Sequence, residues 1–340
     1  YRYWYADALM VVPNGITMFP GSAIYGFGGG ISYHMSKTEP QGFASVSTAY
    51  TATDDGSSPG TSLSGVEYLP DNDMGIGLRA RVVFGTHPNP KAMNGSIELG
   101  FQFYSGGGLE SIRFQGEGVV MDDLNSDPSD ANVGAEVDIY YSFTNNELFG
   151  TSSVYVNIAG MVKGANNNNR AGTITTYFGQ QDWFVYAGTP DDRIALEFIG
   201  LMEASSYMMV GTDIPPFPDL PSNVSSLADD NVQSRLQGMI GNGNGFAFGS
   251  RFDASTGEKN FTIFFGSFEM GAGFDIMIRD FGASAHCEGS DPPLGINGWY
   301  AMGQAYAYLD GKIGIKVKMF GKRKKFTILN VGAAAVLQTA

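Results

Sequence analysis

The chain has 340 residues, a formal net charge of −14, 47 glycines, 13% aromatic residues and only 16% charged ones. That acidity argues against DNA or RNA as a partner, and a charge-poor, glycine- and aromatic-rich composition fits a sheet-rich secreted or outer-membrane protein rather than a disordered one. The single cysteine, Cys287, excludes an intrachain disulfide and a cysteine-built zinc site, and no run reaches the ~18 to 20 consecutive apolar residues of a membrane helix.

The chain opens on "YRYWYADALMVV", which reads as an apolar strand, and then reaches "SAIYGFGGGISYHM", Ser22 to Met35, with Gly26, Gly28, Gly29 and Gly30 in five positions. A dinucleotide loop needs a helix after its glycines. Here "ISYHMSKTEPQG" has no helical apolar period and soon meets Pro40. As a strand, Ala23, Tyr25, Phe27, Ile31, Tyr33 and Met35 share one face, and Gly26, Gly28 and Gly30 lie on the other. The glycines then form a flat stripe where a second backbone or an aromatic ring can approach. "FQGEGVV" and "FEMGAGFDIMI" repeat the device.

Alternation continues along the chain. In "GSIELGFQF", Ile97, Leu99, Phe101 and Phe103 oppose Ser96, Glu98, Gly100 and Gln102. In "GAEVDIYYSF", Ala135, Val137, Ile139, Tyr141 and Phe143 oppose Glu136, Asp138, Tyr140 and Ser142, and "SVYVNIAGMV" carries the period from Val154 to Val162. A period of two with one wet face is the mark of antiparallel strands. Turn-rich runs such as "MDDLNSDPSDANVG" and "KGANNNNRAG" separate them.

One segment, "SNVSSLADDNVQSRLQGMIGNG", recurs at helical spacing through Val224, Leu227, Val232, Leu236 and Met239, with Ser222 or Asn223 as cap. With the preceding "IPPFPDLP" it suggests three parts: an antiparallel β region over 1–213, a proline-rich linker and short helix over 214–244, and a second β region over 245–340. In the last part "GKIGIKVKMFG" alternates again, and "GKRKKF" reads as a hairpin tip before "FTILNV". The apolar start and end of the chain suggest a processed product or a piece of a longer polypeptide.

The candidate chemistry is thin. Asp123, Asn125 and Asp127 have the alternate spacing of a calcium loop, but Pro128 and Gly134 stand where an EF-hand needs Gly and Glu. A looser surface calcium site from Asp122, Asp123, Asp127 and Asp130 is the metal candidate, and an acidic turn in water is the plainer reading. His34, His87 and His286 form no zinc spacing, and Cys287 reads as a quiet thiol. Lys322, Arg323, Lys324 and Lys325 are candidates for pairing with an acidic partner surface. Trp299 and Tyr300, with Trp183 and Tyr306, are candidates for a glycan-stacking platform. A sugar hydrolase would need two facing carboxylates in an aromatic cleft, which the sequence does not reveal.

The segments "DWFVYAGTPDDRIALEF", "SYMMVGTDIPPFP" and "GINGWYAMGQAYAYLDGKIGIKV", spread over the second half of the chain, resemble parts of very large, uncharacterised proteins of Bacteroidota. The resemblance implies a β-rich module of an exported, cell-surface or envelope protein that continues beyond Ala340, and it implies no activity or cofactor.

These readings converge on a mainly β fold: large twisted antiparallel sheets, as a sandwich or an open barrel-like form, with one short helical connector. The expected role is a non-enzymatic structural or protein-interaction module outside the cell or at the outer membrane, without a cofactor unless calcium is one. Its expected partners are other protein segments meeting its sheet edges, or polysaccharide, and no transmembrane helix is expected. A carbohydrate-binding module and an outer-membrane β-barrel are the alternatives. Against a barrel stand strands that read as apolar or glycine-rich on both faces and a C-terminus that is not a terminal aromatic strand.

Overall fold

A computed structural model describes residues 2–38, 67–124, 126–227, 243–283, 286, 289, 295–319 and 322–339. The fold is mainly β, as the alternation implies, and among the described residues the pairing is antiparallel and there is one α-helix, of four residues. Val232, Leu236 and Met239 of the expected helix, and Cys287, lie outside the described residues. Contacts divide the chain into two units, 1–181 and 182–340, so the proline-rich stretch from 214 onward lies within the second.

The first unit is an antiparallel meander. Its strands are β1 (Trp4–Phe19), β2 (Ser22–Tyr33), β3 (Met35–Thr38), β4 (Glu67–Pro70), β5 (Met74–Thr86), β6 (Met93–Tyr104), β7 (Leu109–Val120), β8 (Val133–Ser142), β9 (Glu147–Ile158), β10 (Val162–Gly164) and β11 (Arg170–Phe178). The pairing runs β1–β2–β5–β6–β7–β8–β9–β11, while β3 and β4 form a separate two-stranded sheet. The alternation read through Val162 stops at Ile158, because Ala159 and Gly160 turn the chain with φ of 51° and 66°.

The second unit contains β12 (Trp183–Ala187), β13 (Ile194–Phe198), β14 (Met202–Ile214), α1 (Ser222–Ser225), β15 (Gly243–Ser255), β16 (Lys259–Phe261), β17 (Phe264–Asp280), β18 (Trp299–Met319) and β19 (Lys322–Thr339). β12 and β13 both pair with β14, and the meander continues β14–β15–β17–β18–β19, with β16 pairing the start of β17. The alternation read in "GKIGIKVKMFG" belongs to a longer strand, Trp299–Met319, of 21 residues.

The glycine stretch is a strand, β2, but its faces differ from a simple period of two. A register shift between Ile24 and Gly26 adds one residue to β2, the two-against-one arrangement of a β-bulge. Ala23 and Tyr25, 0% and 3% exposed, thereby join Gly28 and Gly30 on the covered side, while Phe27 and Ile31 are exposed.

Candidate functional site

The feature that stands out in this fold is which face of each strand is covered. In β6, Glu98 is 5% exposed, while Ile97 and Leu99 on either side are 40% and 38% exposed. In β5, Arg79 and Arg81 are buried and Ile76 and Leu78 are exposed; in β17, Asp275 is buried beside an exposed Phe274. Charged residues are almost never buried in soluble proteins unless paired, and contiguous exposed apolar faces are uncommon. Here both occur, strand after strand, on opposite sides of the same sheets.

The buried charges of the first unit are paired across strands. Arg79 Nη1 donates to Glu98 Oε2 at 3.1 Å, its Nη2 donates to Asp7 Oδ2, and Tyr68 Oη donates to the same oxygen at 3.1 Å. Asp7 lies in β1 and Arg79 in β5, with Gly30 of β2 registered opposite both. A Cβ on Gly30 would lie 2.8 Å from Tyr68 Oη and 3.1 Å from Asp7 Oδ2, so glycine is the residue that lets an ion pair reach over an intervening strand. One row on, Arg81 Nη2 donates to Ser96 Oγ at 3.1 Å and Glu117 Oε1 at 3.3 Å. Arg113 grips Asp138 with two bonds, Nε to Oδ1 at 2.9 Å and Nη2 to Oδ2 at 2.6 Å, the planar fork that suits guanidinium. Tyr155 Oη donates to Glu136 Oε2 at 3.1 Å, and the hydroxyls of Ser153 in β9 and Thr173 in β11 are hydrogen-bonded at 3.3 Å. The ladder therefore crosses β1, β5, β6, β7, β8, β9 and β11.

The second unit covers its polar face with its own chain. Residues 214–227, leaving β14, pack on it. Ile214 and Phe217 join Tyr207, Met209, Met277 and Met302 in one apolar cluster, and Leu220 and Val224 join Tyr306 and Tyr308 in another. Polar anchors hold this strap by its backbone: Arg279 Nη2 donates to the carbonyls of Ile214, at 2.5 Å, and Pro215, and Gln304 Nε2 donates to that of Pro218 at 3.2 Å. Gln304 Nε2 also reaches Asp275 Oδ2 at 2.9 Å, whose other oxygen accepts from Arg193 Nη2 at 2.7 Å. The stretch read as a linker between two regions is thus a packed strap as far as residue 227.

The exposed faces carry aromatic residues toward one end of each sheet. All three tryptophans begin a strand, Trp4 in β1, Trp183 in β12 and Trp299 in β18, and are 40–48% exposed. Trp4 meets Tyr33 at the end of β2, with ring centroids 6.2 Å apart. Tyr141 and Phe178 lie at or near the ends of β8 and β11. Strand direction alternates through each meander, so in the first unit these aromatics share one end of the sheet with Trp4, and in the second Trp183 and Trp299 share another.

No family model, curated protein or solved structure matches the chain. Its reading therefore rests on its own residues.

The expected site residues are placed as follows. Asp122 Oδ1 accepts from Ser126 Oγ at 2.6 Å and from the Asp123 amide at 2.8 Å, and the Ser126 hydroxyl, first among its partners, holds the Asp122 carboxyl below the usual carboxylate range. Asp123 pairs with Lys91 at 2.5 Å, Asp127 caps Ser129, and the Asp130 amide donates to the Asp127 carbonyl. Among the described residues no three His, Cys, Asp or Glu side chains are grouped to hold a metal ion. The oxygens of Asp122 and Asp127 are turned to making the 121–132 loop. Trp299 is exposed whereas Tyr300 packs beside the Met277–Met302 cluster, and Tyr306 is buried, so these rings form no common platform. Lys322, Arg323, Lys324 and Lys325 lie at the start of β19, with Met319 registered opposite Lys322, as a hairpin tip requires. Lys325 Nζ and Lys316 Nζ both bond Glu258, whose carboxyl is held low by Lys325 first and Lys316 second. The sequence reading missed the buried ladder around Arg79, although Asp7, Arg79, Glu98, Glu117 and Asp138 stand at alternate positions of evident strands and so carried a signal.

Proposed function

We propose that this chain is a membrane-embedded β-protein of the outer-membrane barrel class, with its exposed apolar faces against lipid and its buried polar faces turned away from it. The observation that carries the reading is the inversion seen in β6, where Glu98 is buried between exposed Ile97 and Leu99. In water that arrangement wastes both faces; in a bilayer it satisfies both, because the outward face then needs apolar side chains and the inward face tolerates charge. Tryptophan and tyrosine near the sheet ends fit the headgroup level, where their rings sit half in apolar surroundings. Among the described residues no helix is long and apolar enough to cross a membrane, and strands are the other element able to do so.

This reading keeps the expected envelope location and non-enzymatic role and changes what the exposed face meets: lipid in place of a protein partner. It also answers the objection of strands apolar on both faces. Gly30, Gly249 and Gly273 are positions where the covered face leaves room for Arg79, Tyr207 and Tyr306 to lean across. A bilayer leaves no free strand edge unsatisfied, so the outer edges of β1 and β11 in the first unit, and of β12, β13 and β19 in the second, must find hydrogen-bond partners in the membrane-bound protein.

The test is co-flotation with phospholipid vesicles followed by a urea wash. Retention through the wash, together with dependence on detergent for solubility in the absence of lipid, is the expected result. A monodisperse, detergent-free soluble protein that stays out of the vesicle fraction would overturn the reading.

A further inference from the structure

On the exposed face of the second unit one place departs from a smooth apolar surface. Cross-strand register sets Lys259, Gly266, Ile313 and Leu329 in one row, from β16 through β19, and Phe268, Gly311 and Val331 in the next. The two glycines lie on a diagonal and leave the floor empty. A Cβ on Gly266 would meet nothing closer than 3.4 Å, and one on Gly311 nothing closer than 3.9 Å. The result is an open groove of about 500 Å³ walled by Phe261, Phe268, Leu309, Ile313, Leu329 and Val331, with Lys259 and Lys312 at its margin.

The charge around it is as local as the groove. The chain as a whole is strongly acidic, yet the neighbouring hairpin carries Lys312, Lys316, Lys324 and Lys325. Glu258 takes up Lys316 and Lys325, and Asp310 lies 3.8 Å from Lys312. Lys259 and Lys324 are exposed and carry no ion pair among the described residues. Lys324 is registered opposite Val317, which puts it on the same face as Ile313 and the groove.

The depth agrees. Ile313 is fourteen positions along β18 from Trp299. At ~3.4 Å per residue and a tilt near ~45°, that is ~34 Å across the membrane, against a hydrocarbon core of ~30 Å. If Trp299 marks one headgroup layer, the groove lies at the other.

We propose that this groove binds one anionic phospholipid, with an acyl chain over Gly266 and Gly311 and its phosphate at Lys259. The proposal rests on the membrane reading above and adds a fixed lipid site to it. Its test is native mass spectrometry of the full chain released from vesicles of equal phosphatidylglycerol and phosphatidylcholine. Retained phosphatidylglycerol is expected in excess. Lys259→Gln should lower that selectivity about fivefold, the worth of one lysine charge near an anionic lipid, and Gly311→Phe should abolish retention by filling the floor. Both variants must float with vesicles as the parent does, which separates loss of the site from loss of insertion. Excess glycerol phosphate should not displace the lipid. A parent that floats but retains both lipids equally, or variants that retain as the parent does, would overturn the groove and leave the membrane reading standing. Displacement by glycerol phosphate would overturn it in favour of a free-phosphate site. Failure of the parent to float would overturn both.

Discussion

The two units present the same exposed face and solve the opposite problem on the covered one differently. In the first, charge meets charge: Asp7, Arg79 and Glu98 form one bonded group and Arg81, Ser96 and Glu117 the next, with each arginine reaching diagonally across the register, so polar groups of one strand satisfy those of its neighbours. In the second, the covered face of β14–β18 is largely methionine, tyrosine and glycine. It is closed by residues 214–227, whose carbonyls accept from Arg279 and Gln304. A sheet whose outer side is apolar can thus keep its inner side paired either strand to strand or against a strap of its own chain. The first way fixes strand register; the second fixes a segment.

The largest effect should come from opening the ladder. Arg79→Gln removes the cation that Asp7 and Glu98 share, leaving Glu98 with Lys37 at 3.5 Å, and removing one partner of a buried ion network costs roughly 3–5 kcal/mol. Urea unfolding in lipid should show that loss, while protease cutting within 214–227 stays at the parent level. Equal loosening of the strap would mean that the two covered faces are not independent.

On the exposed faces the two units should behave alike. Leu99→Arg in the first and Phe274→Arg in the second should each cost about 2–4 kcal/mol near the middle of a bilayer. A surface change in a water-soluble protein would usually stay within about 0.5 kcal/mol. A cost in one unit alone would break the comparison.

Arg279→Gln should act on the second unit only. It strips the donors from the Ile214 and Pro215 carbonyls, at a cost of about 1–3 kcal/mol. The readout is faster proteolysis within 214–227.

How far this was legible in the sequence follows from what a period of two contains. The alternation of Ile97, Leu99, Phe101 and Phe103 with Ser96, Glu98, Gly100 and Gln102 fixes which residues share a face, and the structure keeps those sets. It does not say which set is covered, because the same pattern serves a soluble sheet with an apolar core and a membrane sheet with an apolar outside. The sign lay in the other set: Arg79, Glu98 and Asp138 are matched in charge between adjacent strands, but only register reveals who faces whom. The bulge at Ile24–Gly26, which moves Tyr25 to the glycine side, leaves no periodic trace. The strap was misread as a linker because its anchors, Arg279 and Gln304, are more than sixty residues away.

The smallest effect concerns the 121–132 loop, outside the strands. Its folded Asp122 carboxyl titrates below its unfolded value, so the support given by its bonds to Ser126 and the Asp123 amide is full above the ordinary carboxylate pKa. That support is lost as pH falls through the folded value. Melting followed below about pH 4 should show a small destabilisation that Ser126→Ala reduces. Added calcium should leave the melting point unchanged, and a calcium-dependent rise that disappears in Asp123→Ala would restore the loop as a metal site.

The most direct measurement of the membrane reading is a nitroxide scan of β6 in vesicles, one label at a time from Ser96 to Phe103, with oxygen as the lipid-soluble relaxant and a nickel chelate as the water-soluble one. Oxygen access should peak at Ile97, Leu99, Phe101 and Phe103 and fall at Ser96, Glu98, Gly100 and Gln102, with the chelate excluded from the apolar set. Chelate access to Ile97 and Leu99, with little oxygen enhancement there, would place that face in water and contradict a lipid-facing sheet.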